Sequence, residues 1–283
     1  MFSCAGFGFK NLCFNFSPSG NIPTKTGIRI LTWNTSNLGW DGTYQKQRRD
    51  NILETVKSAN PDIVCFQEAV ISNNDSTINN MGYILSKLEM PYFKYSYMRR
   101  DQFDDFHQFG DIVFSKFPII DSTFIYATDS TVKHQILAIK INDDTLRLYN
   151  LHMASNKFDK QFIKDFKFGK IISNYRAGKQ KRNEDVQKII ASATQHVPIV
   201  PTLLVGDFND TPLSSMYRSI TQKFEDTYKI CSGKTWATWH SAIMKLRIDY
   251  VFKNKKINCS QYTVLNATGS DHYPVIVDFQ IAP

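Results

Sequence analysis

Short runs of apolar residues, most of them ending on a polar residue, recur along the chain from residue 28 onward. Apolar and β-branched runs of about four to eight residues between turn residues are typical of strands buried in a sheet. The segment YQKQRRDNILETVKSA differs, because Ile52, Leu53 and Val56 have the spacing of one helix face. The predicted strands are IRILTWN, DIVCFQE, GDIVFS, HQILAIKI, LRLYNLH, PTLLVGDFN, RIDYVF and YPVIVDFQI.

Many strands, with helices between only some of them, indicate an α/β sandwich of mixed sheets rather than a series of βαβ units. The sequence has no internal repeat, no low-complexity segment and no linker rich in Gly, Ser or Pro. We therefore predict one domain over residues 28–283. Residues 1–27 are predicted to form an N-terminal extension that ends in the turn-rich SPSGNIPTKTG.

Positive charge is the strongest bias of the composition. The chain has 283 residues and a formal net charge of +8. Such a balance favours acidic partners, here nucleic acid, a phosphorylated small molecule or an anionic lipid head group, without choosing among them. Nearly all of the excess lies in residues 157–182, where seven Lys and two Arg stand against two Asp.

Two interpretations of this basic segment stay open. Phe158, Phe162 and Phe166 recur every four residues, as one helix face would require. In one interpretation the phenylalanines pack on the body of the protein and the lysines form a solvated face. In the other, the lysines form a basic wall beside an active site, where Lys160 and Lys164 bind a polyanionic substrate.

The five cysteines are odd in number, scattered and free of any CxxC pair: Cys4, Cys13, Cys65, Cys231 and Cys259. This pattern predicts reduced thiols in an intracellular, cytoplasmic protein, without a disulfide framework or a structural zinc site. No apolar run approaches the roughly 18 residues of a membrane helix. The start of the chain also lacks the basic and apolar regions of a signal peptide. The oligomeric state is left open.

Polar side chains stand where the predicted strands stop. If these strand ends meet at one edge of the sheets, they form a pocket of carboxylates, imidazoles and amides. Carboxylate oxygens suit Mg²⁺ or Mn²⁺, which keep positions for water and phosphate, and histidines donate to phosphate or move protons. The set therefore predicts metal-assisted phosphoester hydrolysis. Its members are Asn34, Gln67, Glu68, His152, Asp207, Asn209, Asp249, Asp271 and His272.

Taken singly, these residues have structural interpretations as well. Asn34 could be a turn amide, Glu68 a solvated charge, and His152 and His272 satisfied structural histidines. Asp249 is different, because a carboxylate inside the apolar strand RIDYVF needs a partner to offset the cost of its burial. Only the combination predicts an active site.

Six ordered motifs make the sequence resemble the endonuclease/exonuclease/phosphatase superfamily over about residues 28 to 279: TWN, FQE, NLH, GDFND, RIDYVF and SDHYP. FGDIVFSKFPI resembles the central strand and turn of that family. The group includes deoxyribonuclease I, abasic-site endonucleases, deadenylases, inositol polyphosphate 5-phosphatases and neutral sphingomyelinases. The residues of these motifs are most similar to those of bacterial members of unassigned substrate. The resemblance implies a four-layer αββα sandwich of two mixed β-sheets flanked by helices, with the site at one end.

The resemblance also implies roles for individual residues. Glu68 matches the main metal-ligand glutamate, with Asn34 and Asp271 beside it in a site for Mg²⁺ or Mn²⁺. Asp207 and Asn209 match the pair that activates and positions the attacking water. The remaining catalytic positions are His272, which matches a phosphate-stabilising histidine, its partner Asp249, and His152, which matches a second histidine of deoxyribonuclease-like and deadenylase-like members.

Departures from the family pattern narrow the substrate. Abasic-site nucleases have an acidic residue where this chain has Ser36 and a tryptophan where it has Leu246, which argues against a dedicated repair role. Trp239 matches a nearby pocket aromatic and, with Trp236, is a candidate for base stacking. Arg247, in the RIDYVF motif, is predicted to bind substrate.

The sequence therefore predicts a Mg²⁺-dependent phosphodiester hydrolase, a nuclease acting on DNA or RNA by attack of an activated water on phosphorus. The alternative is a phosphatase or phospholipase C-like enzyme acting on inositol phosphates or sphingolipids. A catalytically silent binding module is the third hypothesis.

Overall fold

The computed structural model describes residues 18–40, 45–72, 81–97, 107–128, 133–155, 168–196, 198–231, 237–241 and 245–282, and only the backbone over 168–175. The strands are β1 (Ile28–Asn34), β2 (Ile63–Ser72), β3 (Tyr92–Tyr97), β4 (His107–Ser115), β5 (Ile119–Tyr126), β6 (Lys133–Ile141), β7 (Asp144–His152), β8 (Thr202–Asp207), β9 (Glu225–Asp226), β10 (Trp239–His240), β11 (Lys245–Leu246), β12 (Asp249–Lys253), β13 (Ile257–Val264) and β14 (Val275–Ile281). The α-helices are α1 (Lys46–Ala59), α2 (Met81–Leu88), α3 (Phe168–Thr194), α4 (Ser215–Thr221) and α5 (Thr227–Cys231), and a 3₁₀ turn spans Ser36–Gly39.

Two six-stranded sheets have the same plan. The first has the strand order β13-β14-β1-β2-β4-β3, and the second β5-β6-β7-β8-β12-β9. Each holds one parallel pair near its centre, β1 with β2 and β7 with β8, while the other pairs are antiparallel. Parallel neighbours end on the same edge of a sheet, so each sheet presents two strand ends together.

Three apolar clusters separate four layers. Between the sheets pack side chains such as Ile30, Cys65, Leu148 and Val205. On the outer face of the first sheet, α1 buries Ile52, Leu53 and Val56, which confirms the helix face predicted for this segment. On the outer face of the second sheet, α3 and α4 bury Val186, Ile189, Met216 and Ile220. The predicted αββα sandwich of two mixed sheets is confirmed.

The described end of the predicted N-terminal extension packs on the domain. The backbone of Ser19 pairs with Leu265, and the ammonium of Lys25 lies 2.7 Å from a carboxylate oxygen of Asp62. Residues 18–27 are therefore part of the folded body, although the domain boundaries themselves stay a prediction.

The cysteine prediction needs a correction. Cys231 at the end of α5 and Cys259 in β13 form a disulfide, with Cα atoms 6.4 Å apart. The two are separated by 28 residues in sequence, so only the packing of α5 on the first sheet brings them together. The expectation of reduced thiols throughout was wrong for this pair, whereas Cys65 is free and buried.

Helix α3 covers the second half of the basic segment. Phe158, Phe162, Phe166, Lys160 and Lys164 lie outside the described residues, so both interpretations of the segment remain predictions. Among the described helices, none is long and apolar enough to cross a membrane.

Candidate active site

The parallel pairs collect polar strand ends at one end of the sandwich. Asn34 ends β1, His152 ends β7 and Asp207 ends β8. Asp249 opens β12 and pairs directly with Asp207 across the second sheet. The amide nitrogen of Asn34 donates to Asp207 at 3.0 Å, so the ends of the two sheets meet there.

A buried polar chain forms the floor of this site. The amide of Gln67 donates to Asn150 at 2.7 Å, and the amide of Asn150 donates to Gln135 at 2.9 Å. Gln67 also donates to the hydroxyl of Thr32. Since a satisfied network in a low-dielectric interior is rigid, these bonds fix the spacing of the two sheets directly under the site.

Asp207 is the centre of the arrangement. Its Oδ2 accepts from Asn34 at 3.0 Å and from the amide of Asn209 at 3.2 Å. The Nε2 atoms of His272 and His152 lie 3.8 and 4.0 Å from the same oxygen. Burial, and then the charge of Asp249, raise the pKa of Asp207 to about 6. A carboxylate of raised pKa is a stronger base than an exposed one.

Asn209 is held beside Asp207 by its own backbone. Its φ of 51° turns the chain back, so that its N–H donates to Asp207 Oδ1 at 2.8 Å and its amide donates to the carbonyl of Met153. The next residue, Asp210, makes a buried ion pair of 3.1 Å with Arg182 of α3. Arg182 was counted in the basic segment, but it is buried and anchors this turn.

His272 is clamped by Asp249. Its Nδ1 lies 3.0 and 3.2 Å from the two carboxylate oxygens, and both side chains are buried. Burial opposes its charge, but the carboxylates of Asp249 and Asp207 raise the pKa of His272 to about 10. Its Nδ1 therefore donates to Asp249, and Nε2 is presented as a cationic donor toward Asp207. The hydroxyl of Thr238 accepts from the Asp249 N–H at 2.9 Å and fixes that carboxylate's strand.

His152 is paired differently, with Glu68 on one side and Asp111 on the other. Its Nε2 lies 3.4 Å from Glu68 and its Nδ1 lies 3.8 Å from Asp111. Burial disfavours the cation, but the contact with Glu68 and the charge of Asp111 raise the pKa of His152 to about 9. Both histidines are therefore cationic at neutral pH.

Asp111 of β4 is a site residue that the motif comparison missed. It is buried, burial raises its pKa to about 6, and its Oδ1 accepts the N–H of Glu68 at 3.2 Å. The signal was present in the sequence, because Asp111 interrupts the apolar strand GDIVFS just as Asp249 interrupts RIDYVF.

Glu68 sits in a bulge of β2. The register with β4 shifts between Phe66 and Ala69, and Glu68 has a φ of 51°. Such a bulge re-aims a side chain, here into the site. Although burial works against ionisation, contact with His152 and the hydrogen bond from Asn34 lower the pKa of Glu68 to about 2, so its carboxylate is charged.

The donor set fits a hard divalent cation at Glu68. Its side chain is 30% exposed, so it can offer an oxygen while water and phosphate complete the coordination, and Asp271, which is exposed at the rim, stays the predicted second ligand. Asn34 donates to Glu68 and accepts the N–H of Ser36, so in this orientation it positions the ligand instead of offering an oxygen.

A second group could also hold a metal. Among the described residues, ligand atoms of Asp207, Asp249 and His272 lie within 4.8 Å of one another. A histidine ligand must give up the proton of its ligating nitrogen, however, and the carboxylates of Asp249 and Asp207 raise the pKa of His272, which opposes that loss. This group suits a cation less well than Glu68 does.

Trp239 lies at the rim beside Asp271, and its predicted role in stacking stays a prediction. Its indole N–H donates to Asp271 at 3.0 Å, and its backbone pairs with His272. Trp236 falls outside the described residues.

Arg247 is buried away from solvent. Its guanidinium bonds Asp226 at 2.8 Å and lies over the rings of Tyr228 and Tyr250 at 4.3 and 4.6 Å. These contacts give Arg247 a structural role in place of the predicted substrate contact, because its guanidinium packs on Asp226 of β9 and Tyr228 of α5.

The family model for endonuclease/exonuclease/phosphatase proteins matches residues 31–272. This stretch holds every predicted site residue. The chain belongs to this family. Its members hydrolyse phosphoester bonds, so this protein is a phosphoester hydrolase. No curated protein matches the sequence.

Solved structures share the fold at low identity. A family member from Leptotrichia buccalis C-1013-b has a TM-score of 0.66 and 20% identity, over 90% of this chain and 100% of that one. The human Nocturnin catalytic domain, solved with bound sulfate, has a TM-score of 0.65 and 18% identity, over 92% of this chain and 97% of that one. A Bacteroides thetaiotaomicron mannosyl-6-phosphatase has a TM-score of 0.64 and 19% identity, over 90% of this chain and 100% of that one.

Proposed function

We propose that this family member is a Mg²⁺-dependent phosphodiesterase that acts on DNA or RNA, with Mn²⁺ as an alternative ion. The observation that supports this proposal most strongly is the set of side chains around the carboxylate of Asp207. A buried carboxylate lies within 4.0 Å of the Nε2 atoms of two histidines and accepts hydrogen bonds from two amides. One base among several donors is what hydrolysis at phosphorus requires.

The residues divide the reaction among them. Asp207 takes the proton of the attacking water, which Asn209 helps to position. His272, held by Asp249, donates through Nε2 to a phosphate oxygen and offsets its charge. His152, on the other side of Asp207, donates to the leaving oxygen.

Glu68 and Asp271, with Asn34 orienting Glu68, would hold a divalent cation, which would supply neutralisation of the charge that develops on the phosphate.

Charge supports a nucleic acid substrate. The net charge of +8 favours a polyanion, and the excess lies in the segment that follows β7, the strand ending on His152. The rim residue Trp239 offers a ring for stacking on a base. A phosphorylated small molecule is the second candidate, supported by the likeness to a mannosyl-6-phosphatase; inositol phosphates and sphingolipids belong to the same alternative.

Hydrolysis of bis(p-nitrophenyl) phosphate tests the chemistry. With Mg²⁺ or Mn²⁺ we expect turnover that EDTA abolishes and added ion restores. Asp207→Asn keeps the shape of the side chain but removes the base, so kcat should fall about 10³-fold. Asp121→Asn is the matched control, because Asp121 is an exposed carboxylate on β5. Absence of turnover with either ion, or an Asp207→Asn variant as fast as wild type, would overturn the proposal.

A substrate panel tests the class. Single- and double-stranded DNA, RNA, mannose 6-phosphate, inositol polyphosphates and sphingomyelin are compared by kcat/KM. The proposal expects the nucleic acids to be the best substrates. Cleavage confined to sugar phosphates or lipids would assign the protein to the second candidate.

A further inference from the structure

A row of side chains continues from His152 across the second sheet to its edge strand. The register of β6 with β7 pairs Gln135 with Asn150, and carrying it on by two residues places Lys133 beside His152. The register of β5 with β6 pairs Tyr126 with Lys133. Strands lie about 4.8 Å apart, so Lys133 and Tyr126 stand one and two strands from His152.

These side chains share the inner face of the sheet. Gln135 and Asn150 point inward, because they are linked through hydrogen bonds to Gln67 of the opposite sheet. Residues two apart on a strand point to the same side. Lys133 and Tyr126 are therefore on the same face of the sheet as His152.

The pair combines a cation with an accessible ring. The ammonium of Lys133 lies 5.5 Å from the ring centroid of Tyr126 and 6.0 Å from that of Phe124. Tyr126 is 57% exposed, so its ring is accessible to solvent. Within the described part of the chain, no carboxylate lies within 4.0 Å of Lys133, so its charge has no acidic partner there.

A nucleotide matches both features. Bases stack on aromatic rings irrespective of sequence, and lysine binds the phosphates that run beside them. We propose that Tyr126 and Lys133 form a subsite for the nucleotide next to the scissile phosphate, with its base on the ring of Tyr126 and its phosphate on Lys133. This proposal rests on the proposed function, since it needs a polymeric substrate.

The same sheets supply matched controls at the opposite end. Tyr92 is exposed on the edge strand β3, but it pairs with Ser115, which pairs with the first residue of β2. Lys140 is on β6 with Lys133, but it pairs with Thr145 near the start of β7. Both therefore lie at the end of the sandwich away from His152.

The experiment uses three substrates. They are a labelled single-stranded oligonucleotide, tested as DNA and as RNA, the small diester bis(p-nitrophenyl) phosphate, and mannose 6-phosphate. The measured quantity is the ratio of kcat/KM for the oligonucleotide to that for the small diester. Tyr126→Ala should lower this ratio about 5- to 100-fold, as loss of one stacked base does. Tyr126→Trp should keep it, because the ring is retained.

Lys133→Gln should flatten the dependence of log KM on log salt by about 0.7, the loss of one phosphate contact on a single strand. Tyr92→Ala and Lys140→Gln should leave both the ratio and the salt slope unchanged.

The outcomes separate the two proposals. If the wild-type enzyme hydrolyses the small diester and the Tyr126 and Lys133 variants keep the wild-type ratio and slope, the subsite is wrong while the proposed chemistry stands. The same holds if Tyr126→Ala impairs only mannose 6-phosphate turnover, which would assign the ring to a sugar. If the wild-type enzyme hydrolyses none of the three substrates, the proposed function fails and the subsite with it.

Discussion

Two buried histidine–aspartate pairs face each other across Asp207, and they are built differently. His272 hydrogen-bonds both carboxylate oxygens of Asp249 at 3.0 and 3.2 Å. His152 lies 3.8 Å from Asp111, beyond hydrogen-bond distance, and its closest acidic contact is Glu68 at 3.4 Å. One imidazole is fixed by a hydrogen bond to its aspartate, whereas the other lies between two acids, Glu68 and Asp111.

The difference matches a division of labour. A group that clamps a phosphate must keep its orientation, and a carboxylate bonded to the far nitrogen of an imidazole does this. A group that donates a proton, as proposed for His152, does not need so fixed an orientation of its imidazole. We therefore expect the two pairs to respond unequally when each aspartate is changed.

The largest effect is expected for Asp249→Asn. The amide cannot balance the imidazolium of His272 and can present its NH₂ to it, so kcat for bis(p-nitrophenyl) phosphate with Mg²⁺ should fall about 10³-fold. Steady-state kinetics at neutral pH measures this, with Asp121→Asn as the surface control. A loss under about tenfold would mean that the bond to Asp249 does not orient His272.

The next effect is on stability and its pH dependence, measured by denaturant unfolding in EDTA. The pKa of His272 is raised from 6.5 to about 10 in the folded protein. The stabilisation by Asp249 is therefore fully present below about pH 6.5 and is lost as the pH rises through 10. Asp249→Asn should lower the free energy of unfolding by about 3 kcal/mol at pH 6 and by progressively less toward pH 10. A cost that stays constant with pH would contradict this.

The smallest effect is expected for Asp111→Asn. The amide oxygen still accepts the N–H of Glu68, so only the charge beside His152 is lost, and kcat should fall about tenfold. Asp111→Ala also removes that acceptor and loosens the bulge that aims Glu68, so it should be slower and should need more Mg²⁺ for half-maximal activity. If Asp111→Asn lowered kcat as much as Asp249→Asn does, the two histidine–aspartate pairs would be equivalent in catalysis.

The four central strands of each six-stranded sheet could be predicted from local pattern, whereas the edge strands β3, β5, β9 and β13 and the short strands β10 and β11 were not predicted. The helix face of Ile52, Leu53 and Val56 and the buried strands follow from periodicity, because every second or every third to fourth side chain faces the core. Most of the site was predictable as well. Its residues stand where strands end, and in this fold those ends meet.

Other contacts could not be predicted, because they depend on neighbours that are distant in sequence. Cys231 and Cys259 pair only when α5 packs near β13. Arg247 looks like a substrate contact beside Asp249, yet it is buried on Asp226. Arg182 belongs to a basic segment, yet it anchors the turn at Asp210.

The sequence by itself determined the chemistry. Polar residues that end, open or interrupt apolar strands, in six ordered motifs, indicate which side chains meet and that they suit a phosphate and a cation. Only the tertiary structure decided the electrostatics, since burial and the distances between carboxylates and imidazoles set which groups carry charge. It also decided which cations are free to meet a substrate, because a lysine or arginine looks the same in sequence whether it is buried in an ion pair or, like Lys133, has no acidic partner among the described residues.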